Sequence, residues 1–279
     1  MSYFITDIKK LYKNKLTITM LVALALVMVA DPISVYLQYG RDEHFINSIG
    51  QNGFQFWLLM NSRSWGFTVY HSLLMAFPVL STGLVFFEER SSSMYEWLIT
   101  RDSKKKYYLA KILSVFIITF VNFFILFSIN VLVTSFIFPF DAIQTEAFAN
   151  YVPQVGMFSY PFYEQGLLSM VFLFVFLNSL TLALLALLAL SCHMMVLFKS
   201  RYMAILFPFI GLYAITYLIS ILLSSEYWNY NFKVIIQPMV GALSKTIITT
   251  TNVVGVYGVL TVLVILLLMA SYVKNGETL

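Results

Sequence analysis

Two adjacent glutamates, Glu88 and Glu89, close a long apolar run and open the most densely charged stretch of the chain. Paired carboxylates at a membrane boundary can hold a metal, activate a water or seat a basic partner. One family of intramembrane hydrolases that uses paired glutamates has an arginine four residues after the second and a histidine pair that completes its metal site. Ser93 stands at the first position, and His44, His71 and His193 fall in separate segments. Nucleotide chemistry is equally poorly supplied. A Walker A loop needs Gly-x-x-x-x-Gly-Lys-Ser/Thr, so that backbone donors cradle the phosphates. Gly241-Ala-Leu-Ser-Lys245-Thr246 lacks the second glycine. No catalytic residues, metal ligands or cofactor are therefore expected in this chain, and it is not expected to be an enzyme.

The charged stretch from Glu88 to Lys111 holds four of the 13 acidic and six of the 17 basic residues. Inside it, Ser93-x-x-Glu96 has the form of a capping box, in which the serine and the glutamate satisfy orphan backbone donors reciprocally. This predicts a short helix from near Met94 to between Thr100 and Asp102. Met94, Trp97 and Leu98 share one face of it by i, i+3, i+4 spacing. Exposed Trp and Leu side chains call for a cover. Either a partner groove takes that face, or the helix lies flat in the headgroups with Lys104 to Lys106 on anionic lipid.

The elements that position this stretch are apolar. Of the 279 residues, 60% are hydrophobic and only 11% charged, against roughly 25% charged in a soluble domain. About 20 apolar residues cross a hydrocarbon core. Six runs qualify: Leu16 to Tyr36, Phe67 to Phe87, Tyr108 to Phe138, Leu167 to Phe198, Tyr202 to Leu223 and Val253 to Val273. The third and fourth exceed one crossing. The expectation is an all-α integral membrane protein with six transmembrane helices, a single transmembrane domain over 1–279. The first run is too long for a signal core and no small-residue cleavage site follows it, so no cleaved leader is expected.

Basic residues set the orientation. With six crossings, 13 of the 17 fall on the side of both termini. The remaining four, Arg41, Arg63, Lys233 and Lys245, fall on the other. Both termini are therefore expected in the cytoplasm. Before the first run, Phe4, Ile5, Ile8, Leu11 and Tyr12 share a helical face while Asp7, Lys9, Lys10 and Lys13 lie mainly elsewhere. That pattern predicts an N-terminal in-plane amphipathic helix over 1–15. On the outer side, Phe54, Phe56, Trp57, Leu58 and Leu59 should pack on the spans or sit at the interface. Pro139 to Gln165 reads as a structured outer loop. Residues 225–251 are apolar but too short to cross and are broken by Pro238 and Gly241, which predicts short outer re-entrant helices before the last span.

The run Glu89-Arg90-Ser91-Ser92-Ser93-Met94-Tyr95-Glu96-Trp97-Leu98-Ile99-Thr100-Arg101, followed by Tyr107 to Lys111, resembles the first cytoplasmic loop of type-2 ATP-binding cassette (ABC) transporter permeases. In that family a span ends in glutamate, a small-residue turn and short coupling helix follow, and a Tyr and a Lys open the next span. The layout of in-plane helix, six spans and broken helices is similar as well. Asp102 stands where the family often has proline, and Ser92 or Ser93 where glycine is common. The resemblance implies that 88–107 is a cytoplasmic coupling loop. Met94, Glu96, Trp97, Leu98 and Arg101 would dock in a groove of an ATPase, and Glu88 or Glu89 would anchor the base of that coupling helix. It also implies two nucleotide-binding ATPase subunits carrying ATP and Mg, and a second permease copy or a related permease. Membrane lipid is the remaining expected partner, and nucleic acid is not one.

The alternatives are a secondary transporter or channel and, more remotely, the hydrolase. Coupled transporters place ionisable groups deep in their spans. Here the deep polar groups are mainly Asn122, Asn130 and Asn178, with Asp31 before Pro32 near an outer end. Interhelical hydrogen bonding explains such asparagines, and substrate contact is the other role open to them. Cys192 is the lone cysteine and reads as a packing residue. The resemblance and the aromatic spans point to export of a hydrophobic or amphipathic cargo, such as a peptide or antimicrobial, across a bacterial cytoplasmic membrane.

Overall fold

A computed structural model of the chain describes residues 2–39, 53–61, 64–74, 76–92, 103–138, 140, 152–196, 198–222, 235–237 and 247–274. The helices are α1 (Ser2–Lys13), α2 (Lys15–Tyr39), α3 (Gly53–Phe56), α4 (Trp65–Leu73), α5 (Ala76–Pro78), a π-helical turn (Val79–Gly83), α6 (Val85–Ser91), α7 (Lys104–Ile137), α8 (Tyr160–Glu164), α9 (Leu167–Met195), α10 (Arg201–Leu222) and α11 (Thr250–Lys274). No strand occurs among the described residues. Four helices are long and apolar enough to cross a membrane: Lys15–Gln38, Lys104–Ile137, Leu167–Met195 and Thr250–Lys274. The chain is an all-α, multi-pass membrane protein. At 1.5 Å per residue α7 is about 51 Å long, far more than the roughly 30 Å of hydrocarbon.

The fifth apolar run coincides with α10. The second does not form one uniform helix. It is divided into α4, α5, the π turn and α6. Pro78 lacks the donor that a continuing α-helix needs, and π insertions mark such interruptions. Side chains from neighbours replace part of what the ladder loses. The Thr17 hydroxyl donates to the Ser81 carbonyl at 2.7 Å, and the Thr82 and Thr119 hydroxyls pair at 2.7 Å.

α9 is the central post, with an almost fully apolar and buried sequence between α7 and α11. The described part of the segment after α2 enters the bundle. Phe54, Trp57 and Leu58 are completely buried in the same core as Met28, Phe127 and Val131. Gly53 is required there, because a Cβ would lie 2.8 Å from the Phe138 carbonyl and 2.7 Å from the Phe140 ring. Of residues 225–251, Ile235, Ile236 and Ile248 are buried, while Pro238 and Gly241 lie outside the described residues. Of the loop from Pro139 to Gln165, the described part includes α8 and Phe158, whose amide donates to the Ile248 carbonyl at 3.0 Å.

The apolar residues read on one face of α1 divide between the bundle and its surface. Leu11 is buried, with Phe4 and Ile8 partly so, but Ile5 and Tyr12 are exposed. The inward face also carries the charged Asp7 and Lys10. The reason is tertiary: α1 docks on α7, and α7 offers a buried cation.

Candidate functional site: a buried ionic joint

α1, the end of α6 and the start of α7 converge at the N-terminal face of the bundle. Lys111 of α7 is 0% exposed, and Asp7 and Glu89 are each 4% exposed. Lys111 donates to Asp7 Oδ1 at 2.8 Å and to Glu89 Oε1 at 2.9 Å. Lys10 adds a second donor to Glu89 Oε1 at 3.1 Å. The Tyr107 hydroxyl donates to Glu89 Oε2, and the Tyr107 ring faces the Lys111 ammonium at 5.5 Å. Two ammoniums therefore neutralise two carboxylates. Leu11, Val85 and Ile118 form a small apolar cluster from the same three helices.

The sequence builds this locally. Tyr107 and Lys111 are four apart and share a face of α7. Asp7 and Leu11 do the same on α1. Glu88 and Glu89, being consecutive, diverge by about 100° and serve different neighbours. Glu88 accepts from Arg201 of α10 at 2.8 Å and from the Asn14 amide at 2.8 Å. Asn14 forms the corner between α1 and α2, and its Oδ1 also accepts the Leu16 backbone N–H at 3.0 Å. The end of α6 is thus tied to α1, the α1–α2 corner, α7 and α10.

Burial pushes the Asp7 carboxyl above its ordinary value, and Lys111 only partly opposes this. Burial acts on Glu89 in the same direction. There Lys111, Tyr107 and Lys10 together outweigh it, so the carboxyl sits below its ordinary value. Both Glu89 oxygens are engaged by cationic or hydroxyl donors. The arrangement fastens helices together.

Glu88 and Glu89 are the two coupling candidates that this joint brings together. Met94, Glu96, Trp97, Leu98 and Arg101 lie outside the described residues. The three asparagines are held in separate places. Asn130 donates to the Met28 carbonyl at 2.7 Å and accepts from the Leu58 amide at 3.3 Å. Asn178 accepts from the Tyr70 hydroxyl at 2.7 Å and donates to the Ile236 and Phe174 carbonyls. Each secures a buried outer segment against a long helix. Asn122 accepts from Tyr12 at 2.7 Å, and its amide nitrogen is buried without a partner.

Asp31 is also 0% exposed. Its Oδ1 accepts the Gly66 amide at 3.0 Å, at the start of α4. A carboxylate at a helix N-terminus is favoured by the unpaired donors there. Sequence reasoning did not connect Asp7, Lys10 and Arg201 to the glutamates. The available signal was Lys111 itself, a cation inside an apolar helix that required a buried counter-charge. The chain matches no family model, no curated protein and no solved structure.

Proposed function

We propose that this chain is a six-span permease subunit of an ATP-driven ABC exporter, with both termini in the cytoplasm of a bacterial cell. The segmented α4–α6 stretch and α10 supply the two crossings beyond the four long helices, the second and the fifth in chain order. The observation that carries the reading is the Glu89–Lys111 joint. It clamps together the two helices that flank the segment Ser93 to Asp102, whose sequence resembles a coupling helix. A lever needs a stiff base, and a displacement of that segment would reach α6, α7 and α1 together. Two ATPase subunits and a second permease complete the assembly, and ATP hydrolysis supplies the differential affinity that shifts access between states. A hydrophobic or amphipathic cargo, such as a peptide or antimicrobial, fits the aromatic spans. The bonded state of Asn130 and Asn178 supports a structural role for them and gives a secondary-transport reading little to work with.

The experiment is gentle isolation of the chain from native membrane, followed by assay of nucleotide hydrolysis. A co-isolating ATPase is expected. Replacing Trp97 or Glu96 with alanine should uncouple hydrolysis from transport while helix content is unchanged. Full transport without any ATPase would overturn the reading.

A further inference from the structure

The docking of α1 leaves a surface whose chemistry points to a ligand. Asp7, the one acidic residue of α1, is turned into the bundle and consumed by Lys111. Lys10 is drawn to Glu89 in the same way. What faces outward is Ile5, Lys9, Tyr12 and Lys13, all exposed, with Lys15 exposed at the start of α2. Lys9 and Lys13 are one turn apart and adjacent on the helix surface. Neither has a hydrogen-bonded or ionic partner among the described residues. Exposed apolar groups flank them: Ile5 is 45% exposed, Tyr12 44% and Ile18 43%.

We propose that this face of α1 binds the headgroup phosphate of anionic phospholipid in the leaflet on the N-terminal face. The ammoniums of Lys9 and Lys13 pair with the phosphate while Ile5, Tyr12 and Ile18 lie against the acyl chains beside it. Charge complementarity selects an anionic lipid, and the exposed apolar flank selects a membrane over a soluble anion. The ionic joint fixes the rotation of α1, with Lys9 and Lys13 turned away from Asp7 and Glu89. This inference requires only that the chain spans a membrane and stands apart from the transport reading.

The test is native mass spectrometry of the purified full chain with equimolar phosphatidylglycerol and phosphatidylcholine. The wild type should retain phosphatidylglycerol preferentially, and less so at high salt. K9Q/K13Q should lose roughly 30-fold of that preference, at the order of 1 kcal/mol per lysine near an anionic surface. K9R/K13R should keep it. K199Q/K274Q, which removes the same charge elsewhere, should keep it too. Inorganic phosphate at matched concentration should not compete. Undiminished preference in K9Q/K13Q, equal loss in K199Q/K274Q, or displacement by inorganic phosphate would each overturn the proposal. Loss of helix content in K9Q/K13Q would also overturn it, because the two side chains would then be holding the fold.

Discussion

The two ends of the bundle solve one problem with different chemistry. At the N-terminal face, α1, α6 and α7 are joined by full charges: Asp7, Lys10, Glu89 and Lys111. Towards the opposite face, the buried outer segments are held by neutral amides, Asn130 on Leu58 and Met28, and Asn178 on Ile236. Asn130 lies seven residues before the end of α7, or about 10 Å inside it, as far from that end as Lys111 is from the other. A full charge at such a position faces a desolvation penalty of several kcal/mol unless it is paired, and Lys111 is paired with two carboxylates. Amides satisfy backbone groups without that penalty. The joint beside the segment proposed to move is therefore ionic and depends on every partner, whereas the amide contacts are neutral and individually modest.

Breaking the ionic end should have the largest effect. Lys111→Met leaves Asp7 and Glu89 buried without their shared cation, and about 3–5 kcal/mol of stability should be lost. Thermal melting in detergent reads this directly, and adding D7N with E89Q should restore part of it. Gly66→Ala comes next. Its Cβ would lie 2.5 Å from Asp31 Oδ1, so α4 must shift, at roughly 1–3 kcal/mol for such overpacking. Asn130→Leu and Asn178→Leu should each lose about 1–2 kcal/mol, in line with interhelical polar contacts in membranes. If either exceeded the Lys111 variant, the contrast between the two ends would be wrong.

Acidification sharpens the same comparison. The depressed Glu89 carboxyl adds stability above its ordinary value of 4.5 that is lost as pH falls through its lowered value. The raised Asp7 carboxyl has the opposite sign, because the folded state takes up its proton more readily. Below about pH 4.5, stability should therefore fall less in Glu89→Gln than in the wild type, and more steeply in Asp7→Asn. Melting temperature against pH for the three proteins decides it. The smallest effect belongs to Glu88→Gln. The Glu88–Arg201 pair is partly exposed on both sides, at 37% and 51%, and such pairs contribute about 0–1 kcal/mol.

Much of the fold was legible residue by residue. α2, α7, α9 and α11 begin within about four residues of the apolar runs that predict them, because the length needed to cross hydrocarbon is a local property of the chain. The interruption of the second run was less legible: Pro78 was visible, but the π turn forms with Thr17 and Thr119 of other helices beside it. The site divides in the same manner. Glu88 and Glu89 stood out by type and position, and Tyr107 and Lys111 by resemblance. Asp7 looked like part of a polar flank.

The amino-acid order by itself determined a membrane protein, where its apolar helices run, and which pair of carboxylates marks the end of the segmented stretch. Periodicity and composition suffice for that, since each helix satisfies its own backbone. Only the tertiary structure decided which face of α1 turns inward and that Lys111 is shared between residues 104 and 22 positions away. It alone showed that Asn130 and Asn178 hold outer segments in place. A buried charge or amide must find its complement, and the complement lies wherever packing brings another helix within about 3 Å.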